Sequence, residues 1–529
     1  MVEQAKQLRL PEGPIFVPPL KRRQSGVDFL GLRQINLALA ADFLPGLNNV
    51  TSRIRPYSLM CWTAQAFQDS LKGKAIEDAN PADAEAFKEA REVLFVWAHK
   101  ANGVMRGYVG SRSRRPTGRR VALTFAAWKR KSSYMDAVYY GPSLAGDEGL
   151  GLLTRRGPNI LECTASGRQL ASAFDAVLAK HRVSSAFRQS ANHADEARAK
   201  RLYGALRIDA PSKEEAQVLR KVLFDPRQVT EQTSRGYRSA AIELIRIYLG
   251  RYKDGLTAEQ LRRELTLDFR PGEPKLPAPL HEAQAKWAAL QVRQGQRLAL
   301  ELMYAWCERK LFELGGASSF DIAESLYSAV TADVRRPETY LESQLASTLR
   351  RFKDKGNILK AAKHDQELDV VSVTEHLESL VKTEKAVTDG IAQAAFRLLV
   401  LCVPYRDVLS QDAVAAQFLG GSPFRLPLGP TSAWLASAAG MPFSKTIQRI
   451  VERWLIAQHL WTATVRIEEG RQIHRISKED EGYVCLFTSK KALWLPNVAP
   501  DRLRAALSLS AECRILQRTN KEDRYVATQ

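Results

Sequence analysis

The sequence predicts a mainly α, multidomain α+β chain with small β-hairpins set among helical regions. Three observations predict it. At 529 residues the chain is too long for one core and long enough for several domains. Its apolar share of 45% suits a chain that folds over most of its length. Its apolar periodicity is mostly helical, with strand-like runs flanking turn residues only near 150–164 and 461–477.

Residues 1–27 hold five prolines or glycines before Lys21, Arg22 and Arg23, with little periodicity, and read as an arm. An ordered region, 28–181, follows. Pro56 suits a first helical turn, where its missing N–H costs nothing. Leu59, Trp62, Ala66 and Phe67 then share a face. Asn80 and Pro81 start a second helix with Phe87, Ala90, Leu94 and Trp97 inward. These aromatics are expected in the core rather than as stacking platforms. The opening of this region, DFLGLRQINLALAADFLPGLNNVTSRIRPYSLMCW and on to Phe67, resembles uncharacterised proteins of bacterial anti-phage defence islands. It carries no catalytic motif.

Leu150 to Thr154 is strand-like, Arg155 to Asn159 is a turn cluster, and Ile160 to Thr164 is a second strand. Ser166 and Gly167 open a helix with Leu170, Phe174, Val177 and Leu178 on one side. This order resembles the wing and following helix of a winged-helix DNA-binding domain, covering 132–178. The resemblance implies that Ser132 to Gly146 is a recognition helix. Pro142 would divide it, because proline removes a donor and clashes with the preceding turn.

Charge points the same way. Lys plus Arg number 78 against 58 Asp plus Glu, a net charge of +20. Such an excess favours a polyanionic partner. It concentrates in Arg106, Arg112, Arg114, Arg115, Arg119, Arg120, Lys129, Arg130 and Lys131, a stretch without an acid. Glycines 103, 107, 110 and 118 keep its first half a loop. Arg155 and Arg156 add charge at the expected wing tip. These eleven residues are the candidate DNA contacts, since arginine's planar fork can bind phosphate bidentately.

Residues 182–270 read as helical. Ser212 and Glu215 form a capping box, Asp225 and Pro226 stop that helix, and a basic helix follows from about Gln232 to Leu249. Thr257 with Gln260 caps a shorter one. Together they suggest a helix-turn-helix carrying Arg235, Arg238, Arg246, Arg251, Lys253, Arg262 and Arg263. Residues 271–280 are a proline-rich linker. Residues 281–390 read as a helical scaffold, with a long helix from His281 to Leu314 ended by Gly315. The last region, 391–529, reads as a second winged-helix-like domain. Ser410 caps a short helix, Ser444 opens a strong one, and a hairpin pairs Trp461–Glu468 with Arg471–Ser477.

Catalytic and metal-binding constellations are missing. The six cysteines stand singly, the eight histidines have no ligand spacing, and no phosphate loop, HExxH or GxSxG occurs. Glu308 with Lys310 has the spacing of a nuclease motif but reads more simply as a solvated helix face. No catalytic residue, metal or cofactor is assigned. There is no apolar signal core and no membrane span, so a cytoplasmic protein is expected. The favoured reading is a duplex-DNA-binding subunit of a bacterial multiprotein complex, with antiviral defence as its setting. The alternatives are a nuclease with an unrecognised site and a winged-helix adaptor in a defence or chromosome-organising complex.

Overall fold

The structure is a computed structural model. It describes residues 28–113, 118–129, 133, 140–145, 148–189, 192–271, 276–353, 358–421, 425–468, 473–519 and 523–528. The arm 1–27 lies outside the described residues. The fold is mainly α, with four two-stranded antiparallel sheets among the described residues, three of them hairpins and the fourth formed by strands distant in sequence. The chain divides into two compact units. Among the described residues, unit 1 comprises those of 28–39 and 263–500, and unit 2 those of 40–262 and 501–528. These cuts do not coincide with the expected boundaries near 181, 270 and 390.

Unit 1 is built on one long helix, Ala278–Leu314, of 37 residues. It is buried on nearly every side, as a helix without a polar face must be. Gly315 ends it in the left-handed conformation, φ 73°. Its main neighbour is Asp389–Ser410, and Val370–Glu384 also packs on it. A Cβ at Gly295 would sit 3.1 Å from Val370 Cγ2 and 3.1 Å from Thr374 Oγ1, so glycine permits that close approach. Phe29 packs among Tyr304, His459 and Trp494, with ring centroids 6.4, 6.0 and 4.8 Å away.

Three expectations for this unit are corrected. Glu308 is not on a solvated face. It is fully buried, bound through Oε2 to Arg475 Nη2 at 2.7 Å and to the Trp494 amide at 3.3 Å. Ser410 closes Asp389–Ser410, while Asp412 Oδ1 caps the short Ala413–Ala416 helix by accepting from the Val414 and Ala415 amides. Residues Trp461–Glu468 are not a strand. They continue a helical run through Phe443–Arg449, a π-helical turn Ile450–Ile456, and Ala457–Glu468. The buried positions Ile456, His459, Thr462, Ala463 and Arg466 follow three-to-four spacing, which outweighs the strand preference of its β-branched residues. The hairpin lies later, Ile476–Glu479 paired with Gly482–Cys485.

In unit 2, Ile54–Ser70 packs on Ala165–Lys180, and Pro81–Ala101 packs on Glu196–Leu206. Trp62, Phe67 and Trp97 are buried as expected. The Ser212–Glu215 capping box and the Thr257–Gln260 cap both form. The expected early hairpin is present as Leu153–Gly157 with Ile160–Cys163. Thr164 caps the following helix by accepting from Gly167 N at 3.2 Å. A Cβ on Gly167 would lie 2.0 Å from the Leu152 carbonyl oxygen, so the helix can start this close to the hairpin only with glycine there. Residues 501–529 supply Leu503–Glu512 and the hairpin Leu516–Arg518 with Tyr525–Ala527.

Candidate nucleic-acid interface

The arginine-rich stretch starts where Pro81–Ala101 ends. Gly103, Gly107, Gly110 and Gly118 all have positive φ, between 75° and 129°, so this segment turns where non-glycine residues rarely can. Tyr108 anchors it. Its ring stacks on His99 at 4.6 Å, and its hydroxyl donates to Val104 O at 3.2 Å. Lys100 Nζ donates to Ser111 O at 2.6 Å.

Beyond the loop, Arg120–Ala122 pairs with His193–Asp195. Val121, Leu123, Phe125 and Trp128 then point inward. Trp97 receives Trp128 at a ring distance of 5.8 Å. These anchors leave Arg106, Arg112, Arg119, Arg120 and Lys129 exposed. None of the five has an ion-pair partner among the described residues.

Arg155 and Arg156 are exposed too, but they lie within the strand Leu153–Gly157 and not in the turn. The turn is Pro158–Asn159, because Asn159 takes the left-handed conformation at φ 60°. Arg156 Nε is 2.6 Å from Glu162 Oε2. Arg114, Arg115, Arg130 and Lys131 lie outside the described residues, as does most of the expected recognition helix. Within its described part, Gly141–Ala145 is a five-residue helix with Ser143 and Leu144 buried. Ser143 Oγ is 2.6 Å from Tyr57 Oη, so this part faces the core and not a groove.

The basic region 235–263 also departs from expectation. Arg238 is buried, with Nε, Nη1 and Nη2 donating to the carbonyls of Leu223, Pro45 and Val222 at 3.1, 2.8 and 3.0 Å. Arg246 pairs with Glu243 at 2.7 Å, Arg262 with Asp501 at 2.6 Å, and Arg263 with Asp369. These charges serve internal structure, which weakens the helix-turn-helix reading of that surface.

Arg112 and Lys129 share an open cleft of about 880 Å³ with two cations that sequence reasoning missed, Arg53 and Arg518. Arg53 Nη1 lies 2.6 Å from Glu512 Oε1, and Glu512 Oε2 accepts from the Ile54 amide at 2.7 Å. Burial pushes the Glu512 carboxyl up, against the opposing pull of Arg53. Arg518 Nε lies 2.7 Å from Asp523. No local pattern marks Arg53 and Arg518, which are hundreds of residues apart in sequence.

His99 holds the base of the loop and is buried. Its Nδ1 donates to Phe95 O at 2.8 Å, so Nε2 accepts from the Ile208 amide at 3.1 Å. Burial pulls its pKa down to about 4. From about pH 6.5 down to about pH 4 the unfolded chain therefore takes up a proton that the folded chain refuses. This group's contribution to stability falls across that window, on the order of 3 kcal/mol in all. Its imidazole NMR signals are expected to keep the neutral pattern until close to pH 4. A midpoint at the ordinary imidazole value would contradict the loop anchor described here.

Among the described residues, no group of three or more histidine, cysteine, aspartate or glutamate side chains is placed to hold a metal. No described helix is long and apolar enough to cross a membrane. Comparison with known proteins returned nothing: no family model, curated protein or solved structure matches the chain.

Proposed function

We propose that the chain binds duplex DNA through phosphate contacts made by unit 2, as the recognition subunit of a larger bacterial assembly such as an antiviral defence system. One observation carries the reading. The described cations of 106–129 stand exposed and without ion pairs among the described residues, whereas the arginines of 238–263 are largely consumed internally. A charge set held out on an anchored scaffold suits a polyanion. The hairpin Leu153–Gly157 with Ile160–Cys163, followed at once by Ala165–Lys180, supports a winged-helix-like module carrying Arg155 and Arg156 toward the backbone. The buried Gly141–Ala145 helix argues for phosphate contact over base readout from that element.

Fluorescence anisotropy with a labelled duplex tests this. Each neutralised phosphate releases counterion, so log K falls with log salt at roughly −0.9 per contact. Five contacts give a slope of roughly −4.5, a loss of several hundredfold between about 50 and 200 mM salt. Binding that stays flat over that range would overturn the proposal.

A further inference from the structure

The cleft in unit 2 has a chemistry that an open phosphate-binding surface does not need. Four cations line it, Arg53, Arg112, Lys129 and Arg518, and no described lining residue is acidic. Ser111 and Ser113 add hydroxyls from the loop anchored by Tyr108. The opposite character is also present, since Val50, exposed, and Val109, half-buried, line the cleft over the buried Pro56, Trp128, Tyr140 and Ile208, which together give it an apolar wall. The first amide of Ile54–Ser70 is already capped by Glu512, so side-chain charge, and not the helix terminus, sets the potential.

We propose that this cleft binds a nucleoside phosphate monoester, with the phosphate among Arg112, Lys129 and Arg518 and the sugar and base against the apolar wall. At about 880 Å³ the cleft falls within the range for small organic ligands and is far larger than a bare phosphate needs. A monoester carries nearly two charges near neutral pH, whereas each backbone diester carries one. Convergent cations in a concave site favour the denser charge, and concavity favours a chain end or a free nucleotide over continuous duplex. Arg112 and Lys129 have no ion-pair partner among the described residues, so a dianion would complete their pairing. Arg53 and Arg518 already hold Glu512 and Asp523, so Arg112 and Lys129 supply the uncompensated charge, and Arg518 adds hydrogen-bond donors beside them. The inference extends the DNA-binding reading but stands on the cleft alone.

Calorimetric titration separates the sources of this ligand. The ligands are AMP, adenosine, a short single strand with a 5′-phosphate, the same strand with a 5′-hydroxyl, and a covalently closed circular duplex. AMP is expected to bind and adenosine to fail. The phosphorylated strand is expected to bind at least tenfold more tightly than the hydroxyl strand. In Arg518→Gln that ratio should collapse toward one, with melting unchanged. Should Arg518→Gln fail to fold, Lys129→Asn, at an exposed left-handed position that asparagine tolerates, gives the same readout. AMP binding without an end preference assigns the cleft to a free nucleotide. Failure of AMP together with equal affinity for both strands overturns the proposal. A phosphate preference that survives in a folded variant places the ligand elsewhere and also overturns it. AMP binding with no affinity for the closed duplex would leave the cleft standing and remove the DNA-binding reading.

Discussion

Neutralising Arg106, Arg112, Arg119 and Arg120 to glutamine, together with Lys129→Asn, is expected to lower duplex affinity by at least a hundredfold at low salt. All five side chains are exposed, and none has an ion-pair partner among the described residues. Exposed substitutions usually shift stability by under about 0.5 kcal/mol each, so the melting curve should move little. Asparagine is chosen at Lys129 because its φ of 52° disfavours most side chains. The salt slope should become shallower by roughly 4.5, about 0.9 for each phosphate no longer neutralised. Adding Arg155→Gln and Arg156→Gln should weaken binding further if the hairpin meets separate phosphates. Arg246→Gln and Arg262→Gln form the contrast. Both pair with carboxylates inside unit 2, so they should lower stability and leave the slope in place. A folded five-residue variant with wild-type affinity and slope would take these cations out of any DNA site.

That contrast also marks how far the sequence could be read. Local signals were legible. The Ser212–Glu215 box, the Asn80–Pro81 start and the end of the long helix at Gly315 are each set by neighbouring residues, and each forms. Buried aromatics were legible from helical spacing, as with Trp62 and Trp97. Partnership was not. Glu308 belongs to Arg475, Arg262 to Asp501 and Arg53 to Glu512, pairs separated by well over a hundred residues. A charge's partner decides whether it is a surface contact or a structural pin, and partners at that distance leave no local spacing. The unit composition has the same origin. Residues 28–39 fold with 263–500, and 501–529 fold with 40–262, so contiguous stretches do not define the compact bodies. The late hairpin was misplaced because Thr and Val near Trp461 suggest a strand, while burial at three-to-four spacing keeps that segment helical. For the candidate site, the exposed arginine loop was legible from composition and glycine spacing. The cleft beside it needed Arg53 and Arg518 from the two ends of unit 2.

The largest stability effect is expected at Arg55 and Glu215, whose side chains are both 0% exposed. Arg55 Nη1 lies 2.9 and 3.0 Å from the two oxygens of Glu215. Its other nitrogens donate to the carbonyls of Arg207, at 3.2 Å, and Ala210. Its guanidinium carbon stands 5.0 Å from the Phe174 ring centre. Glu215 also accepts from the Ser212 amide at 2.6 Å, closing the capping box of Lys213–Leu223. One ion pair therefore ties Ile54–Ser70, the 207–210 segment and Lys213–Leu223 together. Burial pushes the Arg55 pKa down, and Glu215 opposes that shift. Removing Glu215 leaves a buried guanidinium without its counter-charge, which costs about 3–5 kcal/mol, with up to about 1 kcal/mol more from loss of the cap. Glu215→Ala should then lower the melting temperature of unit 2 by roughly 10 °C or more. Arg55→Met should cost a similar amount, because it strands the carboxylate. The double variant Arg55→Met/Glu215→Leu should recover much of the loss, since a well-packed apolar pair often matches a buried ion pair. A double-mutant cycle by chemical denaturation reads the coupling directly, and strong positive coupling is expected. Additive single losses of under about 1 kcal/mol each would mean that the three segments are held by packing and that this pair is incidental.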